Sequence, residues 1–250
     1  MTLQENGMTL DEFKAFIDGK SIAVVGNSLD ALSSEQGEQI DSADLTLRFG
    51  KGAPPAPELF DRVGSRTDIW ATGQLRMLGY KYLEPDMPIL FNPSRYNTFL
   101  GFPPDSVHMF TEDTIEGFQT EYGAKDGKRL SAGAITALFL DRVANNWGSV
   151  TYYNFDCFTR HTMFYSNLTE SNVPASSWHL PLIKPEHEPE NWMPEDGNIA
   201  HDSDAEIAVF KDCLKRVGTL WRGKPLTNNP TYLETPYIQM TGGRRPPRWD

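Results

Sequence analysis

Short runs of apolar residues alternate with polar, helix-compatible stretches, and that rhythm sets the expected fold class. Residues 21–25 (Ser-Ile-Ala-Val-Val) form a β-rich run that stops at Gly26-Asn27, the pattern of a parallel strand covered on both faces. Residues 45–49 (Leu-Thr-Leu-Arg-Phe) alternate as a second strand, and residues 67–71 and 87–91 supply a third and a fourth. Before the first strand, residues 9–17 read as a helix opened by a capping box of Thr9 and Glu12. The stretch 29–39 between the first two strands is compatible with a helix. The strongest helical pattern is at residues 132–144, where Ile135, Leu138, Phe139 and Arg142 share one face. A strand at residues 149–155 follows, and residues 202–217 resume as a helix with Ile207, Phe210, Leu214 and Val217 on one side. Strand, helix, strand, repeated, predicts an α/β fold: a doubly wound, mostly parallel sheet with helices on both faces.

Between residues 168 and 199 the pattern breaks. Five prolines there, Pro174, Pro181, Pro185, Pro189 and Pro194, exclude long regular elements, and so long a stretch without periodicity reads as a binding loop or lid. Residues 242–250 read as a flexible tail. With neither repeats nor low-complexity blocks, the 250 residues are expected to form one domain.

The net charge of −11 disfavours non-specific binding to nucleic acid or anionic membrane. No apolar stretch approaches the roughly 20 residues of a membrane span, and the acidic N-terminal segment lacks the pattern of a signal peptide. A cytoplasmic location is the expectation. Cys157 and Cys213 each lie in apolar surroundings and read as buried thiols, with a disulfide left open.

Candidate chemistry begins at the end of the first strand. Gly26-Asn27-Ser28 forms a small polar loop where ligands bind in open α/β sheets. It is neither GxGxxG nor a P-loop, and by itself it also suits an ordinary strand-to-helix turn. Ser131-Ala132-Gly133 opens a helix; Ser131 suits an N-cap, and the same geometry suits a phosphate or carboxylate. His201 with Glu206 reads H-x4-E. Ser203 and Glu206 also spell a capping box, which accounts for both without function and leaves His201 unexplained. The positive end of a helix would keep His201 neutral and able to accept a proton, while Asp202 and Asp204 push the other way.

Taken together and in order, these segments resemble the sialyltransferase family (glycosyltransferase family 29-like), as a soluble and divergent member. Val25-Gly26-Asn27, Ser34, Gly37, Ile40-Asp41, Asp44 and Arg48-Phe49 match its large sialylmotif, and Val63-Gly64-Ser65-Arg66-Thr67 matches the segment that follows. Gly50 stands where the family has an asparagine that helps hold cytidine. Ser131-Ala132-Gly133 and Val150 to Phe155 resemble the small sialylmotif, with Leu130, Ala132 and Asn154 in place of its proline, threonine and final glycine. The cysteine pair that joins the two motifs in secreted members is missing. His201 and Glu206 resemble the very small sialylmotif, whose histidine is the family's catalytic base. His161, with Arg160 beside it, loosely matches the histidine that steadies the departing phosphate.

The resemblance implies a Rossmann-type, variant GT-A-like fold and an inverting transfer of a sugar, above all sialic acid, from a CMP-activated donor to a glycan hydroxyl. It implies His201 as general base and His161 at the leaving group. Gly26, Asn27, Ser28, Arg48, Ser131, Ala132, Gly133 and Phe155 would bind the donor, with Glu206 in support. No cofactor is implied: the CMP-sugar is a substrate, and Asp202-Ser203-Asp204, although it spells the D-x-D of metal-dependent transferases, reads as a helix cap with no metal. Two alternatives stay open: a transferase of the same fold using another nucleotide-sugar, and a non-catalytic nucleotide- or glycan-binding protein.

Overall fold

The computed structural model describes residues 8–28, 31, 35–55, 57–72, 88–91, 107–109, 112–124, 128–157, 201–216, 218–221 and 225–226. The proline-rich stretch, the tail, Ser34, Arg160 and His161 lie outside these residues.

Helix α1 (Leu10–Ile17) starts at the expected box: the Glu12 N–H donates to Thr9 Oγ1 at 3.2 Å and the Thr9 N–H donates to Glu12 Oε2 at 2.7 Å. The chain continues through β1 (Ser21–Val25), α2 (Gly37–Asp41), β2 (Leu45–Phe49), α3 (Phe60–Val63), β3 (Ile69–Thr72), β4 (Ile89–Phe91) and β5 (Val107–Met109). Then come α4 (Glu112–Glu121), α5 (Ala132–Arg142), β6 (Ser149–Tyr153), α6 (Ser203–Arg216), β7 (Gly218–Trp221) and β8 (Pro225–Leu226).

Among the described residues the strands form one sheet in the order β5-β4-β3-β2-β1-β6-β7-β8. Every pairing is parallel except that of β7 with β8. The doubly wound α/β fold expected from the sequence is therefore present. The chain leaves β1 in one direction, through β2 to β5, and returns to place β6 on the other side of β1. This reversal creates a topological switch point between β1 and β6, the place at which open α/β sheets generally bind their ligands.

The pleat divides the strand residues between two apolar layers. Ile22 and Val24 of β1, Leu45, Leu47 and Phe49 of β2, and Val150 and Tyr152 of β6 pack with α1, α4, α5 and α6. Ala23, Val25 and Tyr153 face the other way, toward Ile40, Leu59 and Val63 of the α2–α3 side. Helix α5 is buried from Gly133 through Asp141 rather than along one stripe, because helices pack on it from both sides. Its last turn is tied to its neighbours by polar contacts: Arg142 pairs with Glu121, and its Nη2 donates to Tyr122 Oη at 2.5 Å. Tyr122 in turn donates to Asp212 of α6 at 3.0 Å.

Helices α5 and α6 each lead into a parallel strand, β6 and β7. A helix in such a crossover runs back against the strands, so its N-terminus lies at their carboxyl edge. Topology alone thus carries Ser131 and His201, far apart in the chain, to the edge where the loops after β1 and β6 emerge.

Among the described residues no helix is long and apolar enough to cross a membrane. Cys157 and Cys213 are buried and are not joined in a disulfide.

Candidate functional site at the switch point

The loop after β1 and the loop after β6 are in direct contact. The Gly26 N–H donates to the Tyr153 carbonyl at 2.8 Å and the Ser28 N–H to the Asn154 carbonyl at 3.1 Å. A Cβ on residue 26 would lie 2.5 Å from the Asn154 carbonyl oxygen, so glycine is needed there for backbone packing. Asn27 Nδ2 donates to the Phe49 carbonyl at 3.0 Å, binding the loop to the end of β2. Ser28 is buried.

Phe155 joins this loop to the start of α5. A Cβ on Gly26 would meet its Cδ2 at 3.1 Å, and a Cβ on Gly133 would meet its Cε1 at 2.8 Å. Its ring also packs edge-on against Phe49 at 5.7 Å and, tilted, against Phe210 of α6 at 4.8 Å. One aromatic ring thereby touches the ends of β1 and β2 and the helices α5 and α6.

Ser131 is the N-cap of α5, its Oγ accepting the Ala134 N–H at 3.2 Å. Both of its donors go to Glu206: the backbone N–H to Oε1, and Oγ to Oε2 at 2.9 Å. The Ser131 hydroxyl is thus committed to shaping the helix start. Ala132 and Gly133 belong to the first turn, whose N–H groups have no acceptor within the helix.

Glu206 is 1% exposed. Burial pushes its pKa up to about 7; the bonds from Ser131 oppose the shift, while Asp202 and Asp156 reinforce it. The capping-box reading of Ser203 and Glu206 is corrected here. The N-cap of α6 is Asp202, whose Oδ1 accepts the N–H groups of Asp204 at 3.1 Å and Ala205 at 3.3 Å. Glu206 faces α5 and is used there.

His201 pairs with Arg129 through a parallel bridge just ahead of Ser131. Its Nδ1 lies 3.3 Å from the Arg129 carbonyl oxygen. A carbonyl only accepts, so Nδ1 carries the hydrogen and Nε2 is the lone-pair nitrogen. Burial lowers the imidazole pKa to about 4; the bond to the Arg129 carbonyl opposes this and the Arg129 charge adds to it. The sequence left the direction open between the helix dipole and the acidic neighbours; the shift is downward, with desolvation rather than the helix dipole as its main cause.

Arg48 is drawn into a different role from the one the motif suggests. Its side chain is fully buried, with Nε donating to the Arg66 carbonyl and Nη2 to the Val63 carbonyl, each at 2.6 Å. It braces the turn at residues 63–66. Asp41 holds the same turn, accepting from the Ser65 N–H at 2.8 Å and Ser65 Oγ at 2.9 Å. Asp44 accepts from the Ser21 N–H at 2.8 Å at the entry to β1. Much of the first motif is therefore scaffold that fixes where β1 ends. Gly50, the departure from the motif, has φ of 45° and accepts the Trp70 indole N–H at 3.0 Å.

Among the described residues no group of three or more His, Cys, Asp and Glu side chains is placed to hold a metal ion. Asp204 is exposed at the helix surface, so Asp202 and Asp204 of the D-x-D spelling have different environments.

Solved structures similar to this chain include two of mammalian sialyltransferases. One, in complex with Gal-beta-1-3GalNAc-ortho-nitrophenol, is 18% identical with a TM-score of 0.49, over 85% of this chain and 73% of the neighbour. Another mammalian sialyltransferase structure is 18% identical with a TM-score of 0.49, over 89% of this chain and 83% of the neighbour. No family model matches the chain, and no curated protein matches it in sequence.

Sequence reasoning missed the part played by Phe155 as a hub, and it placed a cap at residues 202–204 without singling out Asp202 as the residue that makes it. The signal for the first was present: two glycines, Gly26 and Gly133, each at an element boundary, mark positions where a bulky partner approaches closely.

Proposed function

We propose that this chain is a glycosyltransferase of the sialyltransferase type, moving sialic acid from a CMP-activated donor to a glycan hydroxyl with inversion. One observation carries the reading: the three separated motif segments are physically fastened together at the carboxyl edge. Phe155 fastens residues 26 and 133, and Glu206 fastens the start of α5 to the helix that follows His201.

In this reading the first-turn N–H groups of Ala132 and Gly133, at the positive end of α5, receive the donor's anionic groups. Asn27 and Ser28 border the nucleotide. His201 Nε2 takes the proton of the acceptor hydroxyl as its oxygen attacks the anomeric carbon. The bond from that carbon to the phosphate oxygen breaks, CMP leaves, and His161 or Arg160 stabilises the departing charge.

The unliganded pKa of about 4 makes His201 a weak base. A bound anionic donor stabilises the imidazolium and moves that value toward neutrality. The direct assay is release of CMP from CMP-sialic acid, with and without glycan acceptors, beside UDP- and GDP-sugars. Acceptor-stimulated release from the CMP donor alone is expected. Turnover of only a UDP- or GDP-sugar would shift the assignment to another donor, and turnover of none would leave a binding protein.

A further inference from the structure

We infer that Asn154 is a ligand-contact residue for the nucleotide, its side-chain amide offering a donor and an acceptor at the switch point between β1 and β6. The inference rests on the nucleotide reading above and adds a residue to it.

Asn154 follows β6 directly, and its carbonyl already receives the Ser28 N–H from the opposite loop. Its side chain is fully buried, yet neither Oδ1 nor Nδ2 has a hydrogen-bond partner among the described residues. Asn27 Oδ1, on the adjoining loop, is buried and unpartnered in the same way. Three amide atoms without partners therefore belong to the two loops that meet at the switch point.

The backbone adds a second cost. Asn154 has φ of 59°, in the left-handed region. Asparagine tolerates that region better than most residues, but glycine occupies it without strain. Glycine would also remove the unsatisfied amide, and a buried polar group without a partner is destabilising. On structural grounds alone glycine is the better residue at position 154, and it is the residue of the resembling motif. An amide kept at a strained, buried position at the switch point is accounted for by what it binds. The two loops must part slightly for a ligand to reach it, and loops at strand ends commonly make such movements.

The test titrates CMP, UMP and GMP by calorimetry into the wild type and Asn154→Gly, with thermal unfolding of both. The variant is expected to melt about 2–4 °C higher, the shift that about 1 kcal/mol produces in a chain of this size. It is expected to bind the nucleotide about tenfold more weakly. Equal or tighter binding by the variant overturns the inference, as does a lower melting temperature, which would make the amide a structural group. A wild type that takes UMP or GMP but not CMP would defeat the CMP-donor reading alone, leaving Asn154 to be judged on the nucleotide that binds. Binding of none of the three overturns both.

Discussion

Under the proposed function, replacing His201 by alanine is expected to lower transfer from the CMP donor by about 10²–10⁴-fold, the usual contribution of a positioned general base. The expectation follows from the ring's tautomer. With Nδ1–H turned to the Arg129 carbonyl, Nε2 is the nitrogen able to accept a proton. His201→Asn separates chemistry from scaffolding, because its amide can still donate to that carbonyl while offering no base. Both variants should bind CMP nearly as the wild type does and should fail in kcat. Loss of CMP binding with unchanged kcat at saturation would instead make His201 a donor-binding residue. A fall of less than threefold in the alanine variant would remove it from the mechanism. The acid limb of the kcat/KM profile should fall near pH 4, the value for the buried free imidazole, rather than near 6.5.

The second large effect is on stability, where two buried groups act in opposite directions over nearly the same pH range. Glu206 has a folded-state pKa raised from 4.5 to about 7. The folded protein therefore holds this proton more tightly than the unfolded chain. Its contribution is fully present below pH 4.5 and is lost as pH rises toward 7. His201 has a folded-state pKa lowered from 6.5 to about 4. Its contribution is fully present above pH 6.5 and is lost as pH falls toward 4. The magnitudes are about 3 kcal/mol for Glu206 and less for the partly buried His201.

In the wild type the two trends largely cancel, and single variants uncover each one. Relative to wild type, Glu206→Gln should gain stability as pH rises from 4.5 to 7, because the variant escapes the cost of ionising residue 206. His201→Asn should gain as pH falls from 6.5 to 4. Urea unfolding across pH 4–7.5 reads both difference curves directly. A flat difference for Glu206→Gln would show that its carboxyl titrates normally and does not grip Ser131 from within the core.

Some of this architecture is written plainly in the chain. The run at residues 21–25 is apolar without alternation, and it became a central strand covered on both faces. Helix α5, Ala132–Arg142, was visible from its apolar content, although its burial on all sides left no true amphipathic stripe. Other elements carry weak local signals. Strands β5 and β8 have three and two residues, and β7 has four with a glycine at its start. Their pairing comes from neighbouring strands rather than from their own pattern. Helix α4 has only Ile115 and Phe118 as buried anchors, with Gly117 between them, so its periodicity is faint.

The candidate site was legible as residue types and order, and much less as roles. Arg48 and Ser131 read as donor contacts, yet each directs hydrogen bonds to protein partners: Arg48 to carbonyls 15 and 18 residues away, Ser131 to a carboxylate 75 residues away. Nothing near either residue in the chain signals such a partner. His201 was identifiable because the capping explanation for its neighbours left it over. A cap was visible at residues 202–204, but not which residue leads it, because the pair Ser203 and Glu206 and the Asp202-Ser203-Asp204 run overlap in the same stretch.

Convergence is tested most directly by hydrogen exchange of backbone amides with and without saturating CMP. The account predicts that residues 26–28, 131–134 and 201–206 slow together on addition of the nucleotide, while the scaffold turn at residues 63–66 is unchanged. Slowing confined to a single one of the three segments, or slowing at residues 63–66 in their place, would contradict it.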